Sequence, residues 1–254
     1  MPYIDVLGKK TFFQQKSGDF QAELKTILCL HGAGGTSENW IYQLDRVDNC
    51  NIIALDLPGH GLSEGSPSDS INEYRDFVLN FAQALEISSY VLMGHSMGGA
   101  IALELAFAHP IVLKGLIIVG SGARLRVNPS ILDALSKGRY PVENIEYSYS
   151  KNSPPATLDK AKLAMNNVPI DVLKADFFAC NKFDIMNRLP RIKVPALIIC
   201  GKDDQMTPLK YSEYLSKNIP NSNLVPVINA GHMAMIERPD QVNRAITKFL
   251  EMLY

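Results

Sequence analysis

The chain is poor in the residues that would mark a disulfide scaffold, a metalloprotein or a nucleic-acid binder. Of its 254 residues four are cysteine, Cys29, Cys50, Cys180 and Cys200. No two have the C-x-x-C spacing of a zinc or redox pair. Cys29 and Cys200 lie inside apolar runs, where a free thiol behaves as a small hydrophobe. Neither a metal nor an organic cofactor is expected. Charge of neither sign predominates, with Lys+Arg 25 against Asp+Glu 26 and a formal net charge of -1. The electrostatic footprint of a nucleic-acid binder is therefore missing. No apolar stretch reaches the length of a membrane span. The opening "MPYIDVLGKK" has neither the apolar core nor the cleavage site of a secretory leader. The expectation is a cytoplasmic protein with reduced thiols that acts on a small molecule. Nothing in the sequence sets an oligomeric state.

What is present is a regular alternation. Short β-branched runs recur at "TILCLHG" (26–32), "NIIALDLPG" (51–59), "YVLMGHS" (90–96), "LKGLIIVGSG" (113–122), "PALIICG" (195–201) and "NLVPVIN" (223–229). Near-continuous hydrophobicity of this kind is how parallel strands covered on both faces read. The first 17 residues alternate more and suggest an antiparallel hairpin at the sheet edge. Between the runs lie helical patterns. In "SINEYRDFVLNFAQALEI" the apolar positions Ile71, Tyr74, Phe77, Val78, Phe81, Ala82 and Leu85 form one stripe. Ser70 and Glu73 have the spacing of a capping box at its start. "MGGAIALELAFA" is apolar nearly all round, which predicts a buried helix. Strands alternating with helices imply an α/β protein with a doubly wound, mostly parallel sheet. From Ala123 to Leu189 the alternation stops. Helical patterns are broken there by Pro129, Pro141, Pro154, Pro155 and Pro169. That stretch reads as a helical insertion before the last two strands, with the core divided into 1–122 and 190–254.

Residues 94 to 98, Gly-His-Ser-Met-Gly, are a G-x-S-x-G preceded by a strand and followed by a helix. The motif alone is weak; this setting is the one a nucleophile elbow requires. A phosphate loop would need Lys-Ser/Thr after the last glycine, and Ala100-Ile101 follow instead. A serine hydroxyl needs a base, and the base needs an orienting acid. Among five histidines, His31, His60 and His232 follow strands, at the end of an open sheet where reactive groups gather. His95 is turned away from Ser96 by strand alternation, and His109 closes a helix. Only His232 comes late, in the order Ser…Asp…His that accompanies this motif.

"HGAGG", "LDLPGHGLS", "GHSMGG", "GKDDQMTP" and "AGHMAMIERP" together resemble, in identity, order and strand context, the signatures of serine hydrolases of the α/β-hydrolase fold superfamily. The resemblance covers almost the whole chain. It is weakest over 123–189, where that family carries a variable cap. It implies Ser96 as nucleophile, His232 as general base and Asp204 as acid, since Gly201, Asp204 and Pro208 fit the family's G-x-x-D-x-x-x-P. Asp203 then shapes the turn or is solvated beside its neighbour, and Thr207 and Pro208 open the next helix as cap and first-turn residues. The backbone N–H groups of Ala33 and Met97 would form the oxyanion hole.

Other residues carry two readings. His31 is expected to fix the oxyanion loop; Asp56 and His60 to satisfy turn geometry; Trp40 to pack a helix on the core. His95, Met206 and Met233 adjoin the implied triad and are candidate substrate contacts. Arg124 and Arg126 open the insertion and could meet a substrate carboxylate, though solvated or ion-paired roles fit them better. Phe177, Phe178 and Phe183 could line an acyl pocket or simply pack the insertion. The sequence also differs from several related groups. It has Ser96 where dehalogenases have Asp, His95 where carbon–carbon hydrolases have Asn, and Ala100 where menaquinone-pathway synthases have Arg. "GHSMGG" resembles carboxylesterases, monoacylglycerol lipases, thioesterases and enol-lactonases. The resemblance thus implies hydrolysis of a carboxylic ester with a small or medium acyl group. A thioester or enol-lactone is the alternative substrate, and a slow-turnover ligand receptor the alternative role.

Overall fold

Eight strands form one sheet: β1 (Tyr3–Val6), β2 (Lys9–Gln15), β3 (Lys25–Leu30), β4 (Cys50–Leu55), β5 (Tyr90–His95), β6 (Leu113–Val119), β7 (Ala196–Gly201) and β8 (Ser222–Val227). The computed structural model describes residues 3–16 and 20–253. The order across the sheet is β1-β2-β4-β3-β5-β6-β7-β8. The hairpin β1–β2 is antiparallel, as its sequence alternation predicted, and β2 also runs antiparallel to β4. Every other pair is parallel.

The continuous apolar runs have a simple cause. Alternate residues of a strand point to opposite faces, and here both faces are covered. Leu28, Leu30, Ile53, Leu55, Leu92, Leu116 and Ile118 enter one layer of the core, and Ile27, Cys29, Ile52, Ala54, Val91, Met93, Ile117 and Val119 the other. The helices are α1 (Ile41–Arg46), α2 (Ile71–Ala84), α3 (Met97–Ala108), α4 (Pro129–Ser136), α5 (Pro155–Asn166), α6 (Ile170–Lys182), α7 (Leu209–Asn218), α8 (Ala234–Glu237) and α9 (Pro239–Met252). The first layer is closed by α2 and α3, the second by α1, α8 and α9. Each fully buried Leu or Ile contributes about 1.5–3 kcal/mol. Trp40 is completely buried in the second layer, as expected of a packing residue.

Helix α3 is buried nearly all round, as its composition predicted. Its one charged residue, Glu104, is buried and paired with the guanidinium of Arg188. The start of α2 departs from expectation. Ser70 makes no side-chain cap, and Glu73 accepts instead from the hydroxyl of Ser68 at 2.6 Å. The Ser68 hydroxyl in turn accepts the Ser70 N–H at 3.1 Å, so the polar loop closes on itself before the capping box can form.

Between β6 and β7 lie α4, α5, α6 and short helical turns. The base of this segment is drawn together by an antiparallel bridge between Arg124 and Asp184. Among the described residues no helix is long and apolar enough to cross a membrane.

Candidate active site

The strand order reverses direction between β3 and its neighbours β4 and β5. At such a switch point a crevice opens beyond the carboxyl ends of the strands. The loop after β3 carries the "HGAGG" stretch, and the turn after β5 carries Ser96.

Ser96 has φ 51 and ψ -113, a left-handed backbone rarely adopted by a residue with a side chain. It is held there by its N–H to Val119 O at 3.0 Å and by the Ser121 hydroxyl on its own carbonyl at 2.8 Å. A Cβ on Gly98 would overlap the carbonyl oxygens of Leu30 and His31, so the sharp turn brings backbone against backbone and excludes any side chain. Met97 is the first residue of α3, and its N–H belongs to the helix end that lacks an intrahelical acceptor. Among the described residues the N–H of Ala33 also takes no acceptor.

Asp204 and His232 meet after β7 and β8. His232 Nδ1 lies 2.9 Å from Asp204 Oδ2, and both side chains are buried. Asp204 accepts four hydrogen bonds: Met206 N–H and Thr207 N–H on Oδ1, each at 2.8 Å, and Thr207 hydroxyl and His232 Nδ1 on Oδ2. Burial disfavours the carboxylate, but the electrostatic attraction and hydrogen bond of His232 and the two bonds from Thr207 outweigh it, so its pKa falls below the ordinary value. An ionised Asp204 fixes the hydrogen of His232 on Nδ1 and leaves Nε2 free to accept a proton. Among the described residues the Ser96 hydroxyl has no hydrogen bond to His232; such contacts commonly tighten when substrate binds. Asp203, by contrast, is exposed and accepts the Ser150 hydroxyl at 2.6 Å.

Thr207 corrects the sequence reading. It does not cap α7, which begins after Pro208 with no side-chain cap. Its hydroxyl bonds Asp204 and also lies 3.2 Å from His232 Nδ1. The carboxylate competes successfully for a hydroxyl that local propensity assigned to a helix end.

A cavity of about 840 Å³ opens over Ser96 and His232. Ala33, His95, Phe177, Met206 and Met233 line it, as do Tyr140, Tyr149, Tyr211 and Gln205, which sequence reasoning did not single out. Three candidate contacts fall elsewhere. Arg124 is exposed and pairs with Asp184 at 3.4 Å, outside the cavity lining, where Arg126 stands instead. Phe178 is also absent from the lining, because on a helix it faces away from its neighbour Phe177, and Phe183 is buried in the main core instead. His95 is buried, its ring centroid 4.6 Å from that of His232. Its Nε2 reaches the carbonyl of His232 at 3.1 Å. Burial first, and then the charge of His232, lower its pKa to about 3, so His95 is neutral.

The insertion supplies a residue that no motif announced. Asp176 of α6 is fully buried and contacts Gly34, His60 and Tyr74. The one signal in the sequence is a carboxylate in the middle of the apolar face Val172, Leu173, Phe177 and Cys180. Glu237 of α8 was likewise unannounced. It accepts the Gly231 N–H at 2.7 Å beside His232 and the Ser150 N–H of the insertion at 2.8 Å. Among the described residues no three His, Cys, Asp or Glu side chains are grouped to hold a metal ion.

Comparison with known proteins agrees with this architecture. Residues 27–245 match the model of the "Alpha/beta hydrolase family". A relative in Agrobacterium fabrum (strain C58), named "Putative carbamate hydrolase RutD", is 29% identical over 253 residues, 92% of this chain and 95% of its own. The structure of a thermophilic esterase is 33% identical, with TM-score 0.85 over 99% of this chain and 97% of that one. The enol-lactonase from Burkholderia xenovorans LB400 is 22% identical and superposes with TM-score 0.90 over 98% of this chain and 100% of that one, a likeness of fold. With its sheet order and its switch-point crevice, and with 27–245 matched throughout, the chain belongs to the alpha/beta hydrolase family.

Proposed function

We propose that the protein is a serine hydrolase that cleaves a carboxylic ester of small or medium acyl size through an acyl-enzyme. The observation that carries this reading is the Asp204–His232 pair at 2.9 Å beside a serine held at φ 51, under a cavity of about 840 Å³. Ser96 Oγ attacks the substrate carbonyl as His232 Nε2 takes its proton. The negative oxygen of the tetrahedral intermediate is met by the N–H groups of Ala33 and Met97. His232 then protonates the leaving alcohol. Water attacks the acyl carbon and gives a proton to His232, which returns it to Ser96 Oγ as the acyl–Oγ bond breaks and the acid leaves. Asp204 orients the imidazole and stabilises its charged form.

Residues 123–189 serve in this reading as a cap that shapes the acyl pocket. Phe177, Met206 and Met233 provide its apolar wall, while Arg124 and Phe178 have no part in it. The test is hydrolysis of p-nitrophenyl acetate and butyrate beside thioesters, lactones and carbamates, with wild type and Ser96→Ala in parallel. Sustained ester turnover that is lost in Ser96→Ala, with fluorophosphonate labelling of Ser96, is the expected result. Preference for a carbamate, thioester or lactone would move the substrate class while retaining the triad. A single burst of product without turnover would instead make the protein a ligand receptor.

A further inference from the structure

Asp176 sits where a carboxylate is costly unless every oxygen is paired. Its Oδ2 accepts the Gly34 N–H at 2.8 Å and His60 Nε2 at 2.8 Å, and its Oδ1 accepts the Tyr74 hydroxyl at 2.7 Å. The partners come from three separate segments: the loop after β3, the loop after β4, and α2. His60 Nδ1 faces the carbonyl of Pro58 at 3.1 Å, so both ring nitrogens point at acceptors. Burial opposes the charge on His60, but the bond and charge of Asp176 outweigh it and raise its pKa.

Two peptide planes flank Ala33. In the first, the Gly32 carbonyl accepts His31 Nδ1 at 2.8 Å and the Gly35 N–H at 3.0 Å. His31 Nε2 accepts the Leu57 N–H at 3.1 Å, which fixes the hydrogen on Nδ1. In a trans peptide the C=O and N–H point in opposite directions. Anchoring the Gly32 oxygen therefore aims the Ala33 N–H the other way. The second plane, Ala33–Gly34, is held by the bond from Gly34 N–H to Asp176. Gly34 has φ 64, and glycine can leave that conformation at little cost. Without a fixed acceptor this plane can rotate and carry Ala33 with it.

We infer that Asp176 is a positioning residue: it reaches from the insertion and fixes the oxyanion loop by holding the Ala33–Gly34 peptide, an inference that rests on the serine-hydrolase reading above. Asp176→Leu removes the acceptor. It lowers kcat for p-nitrophenyl butyrate about 10- to 100-fold, a fraction of the loss from deleting a whole oxyanion donor, and leaves KM nearly unchanged. Binding of phenylboronic acid, whose adduct with a serine mimics the tetrahedral intermediate, weakens in parallel. Asp176→Asn restores most of the rate, because its amide oxygen still accepts Gly34 N–H when its NH₂ turns toward Tyr74. A folded Asp176→Leu that keeps kcat and boronate affinity and loses only thermal stability overturns the inference. Should Asp176→Leu not fold, Tyr74→Phe removes one donor that orients the carboxylate. It must then lower kcat and boronate affinity together, about 3-fold or more; unchanged values overturn the inference. Ser96→Ala separates the two levels. If it retains turnover, the serine-hydrolase reading fails; if it is dead while Asp176→Leu is unaffected, only the positioning role is refuted.

Discussion

Acidification strains this fold at His95. The ring is buried between Gly32 and His232, with Nε2 on the His232 carbonyl and Nδ1 without a partner. Protonating Nδ1 would create an unpaired cation beside His232. The folded pKa of about 3 against the ordinary 6.5 expresses that cost. Because the folded value is the lower one, the unfolded chain binds the proton first, and stability falls as pH drops below 6.5. At pH 4 the unfolded imidazole is protonated and the folded one is not. The gap of about 2.5 pH units at about 1.36 kcal/mol each gives a loss of about 3 kcal/mol relative to pH 7. His95→Gln removes the titration and keeps an N–H for the His232 carbonyl. Urea unfolding at pH 7, 5 and 4 can be followed through Trp40, the single tryptophan, which is completely buried. Titrations of other groups occur in both proteins and cancel in the comparison. Wild type should lose about 3 kcal/mol more than His95→Gln between pH 7 and 4. Curves that run parallel would refute the assignment of His95 as a neutral, unpaired ring.

Three further outcomes are expected. Asp204→Asn lowers kcat on the order of 10³–10⁴ because the imidazole loses its orienting charge, whereas Asp203→Asn, whose partner is the Ser150 hydroxyl, changes it little; steady-state ester hydrolysis distinguishes them. Arg188→Met leaves Glu104 buried without its cation and costs about 2–3 kcal/mol in denaturant unfolding, below the full cost of breaking a buried pair because Arg188 is partly exposed; Glu104→Gln in that background recovers part of the loss. All four thiols are buried, and burial pushes Cys50 up to about 11 and Cys200 up to about 12, so the native protein should resist iodoacetamide at pH 8 and react only once unfolded, as read by mass spectrometry.

The parts of the molecule legible in the sequence are those fixed by local pattern. The parallel strands were visible because both of their faces are covered, which leaves no polar alternation in runs such as Ile52–Leu55. Ser96 was visible because an elbow needs glycine at fixed offsets on a strand–helix boundary. Features that depend on which way one side chain turns were not visible. Arg124 and Arg126 are equivalent in the sequence; the bridge between Arg124 and Asp184 assigns one of them to a surface ion pair. Thr207 before proline has the chemistry of a helix cap, and only the fold brings Asp204 and His232 to its hydroxyl. Asp176 and Gly34 lie 142 positions apart, so no spacing rule could join them.

The same long-range bonds bear on what residues 123–189 are. A lid that moves as a body should be attached to the core through few polar contacts. Here both loops that carry the proposed chemistry are tied to it through carboxylates. Asp176 reaches from the insertion to Gly34, while Glu237 reaches from the core to Ser150 N–H and Ser153 Oγ and also holds Gly231. The Met233 N–H adds a bond to Ser148 O at 3.1 Å. Raising the insertion would strand these groups together, each at a cost of about 1–3 kcal/mol. Opening of the cavity should therefore fall to segments that lack such ties, such as α5, none of whose residues is buried. On the proposed reading, substrate preference and oxyanion geometry are coupled through α6, whose Phe177 faces the cavity and whose Asp176 faces the loop, so exchanging this helix for a relative's to change the acyl pocket should disturb kcat as well as KM.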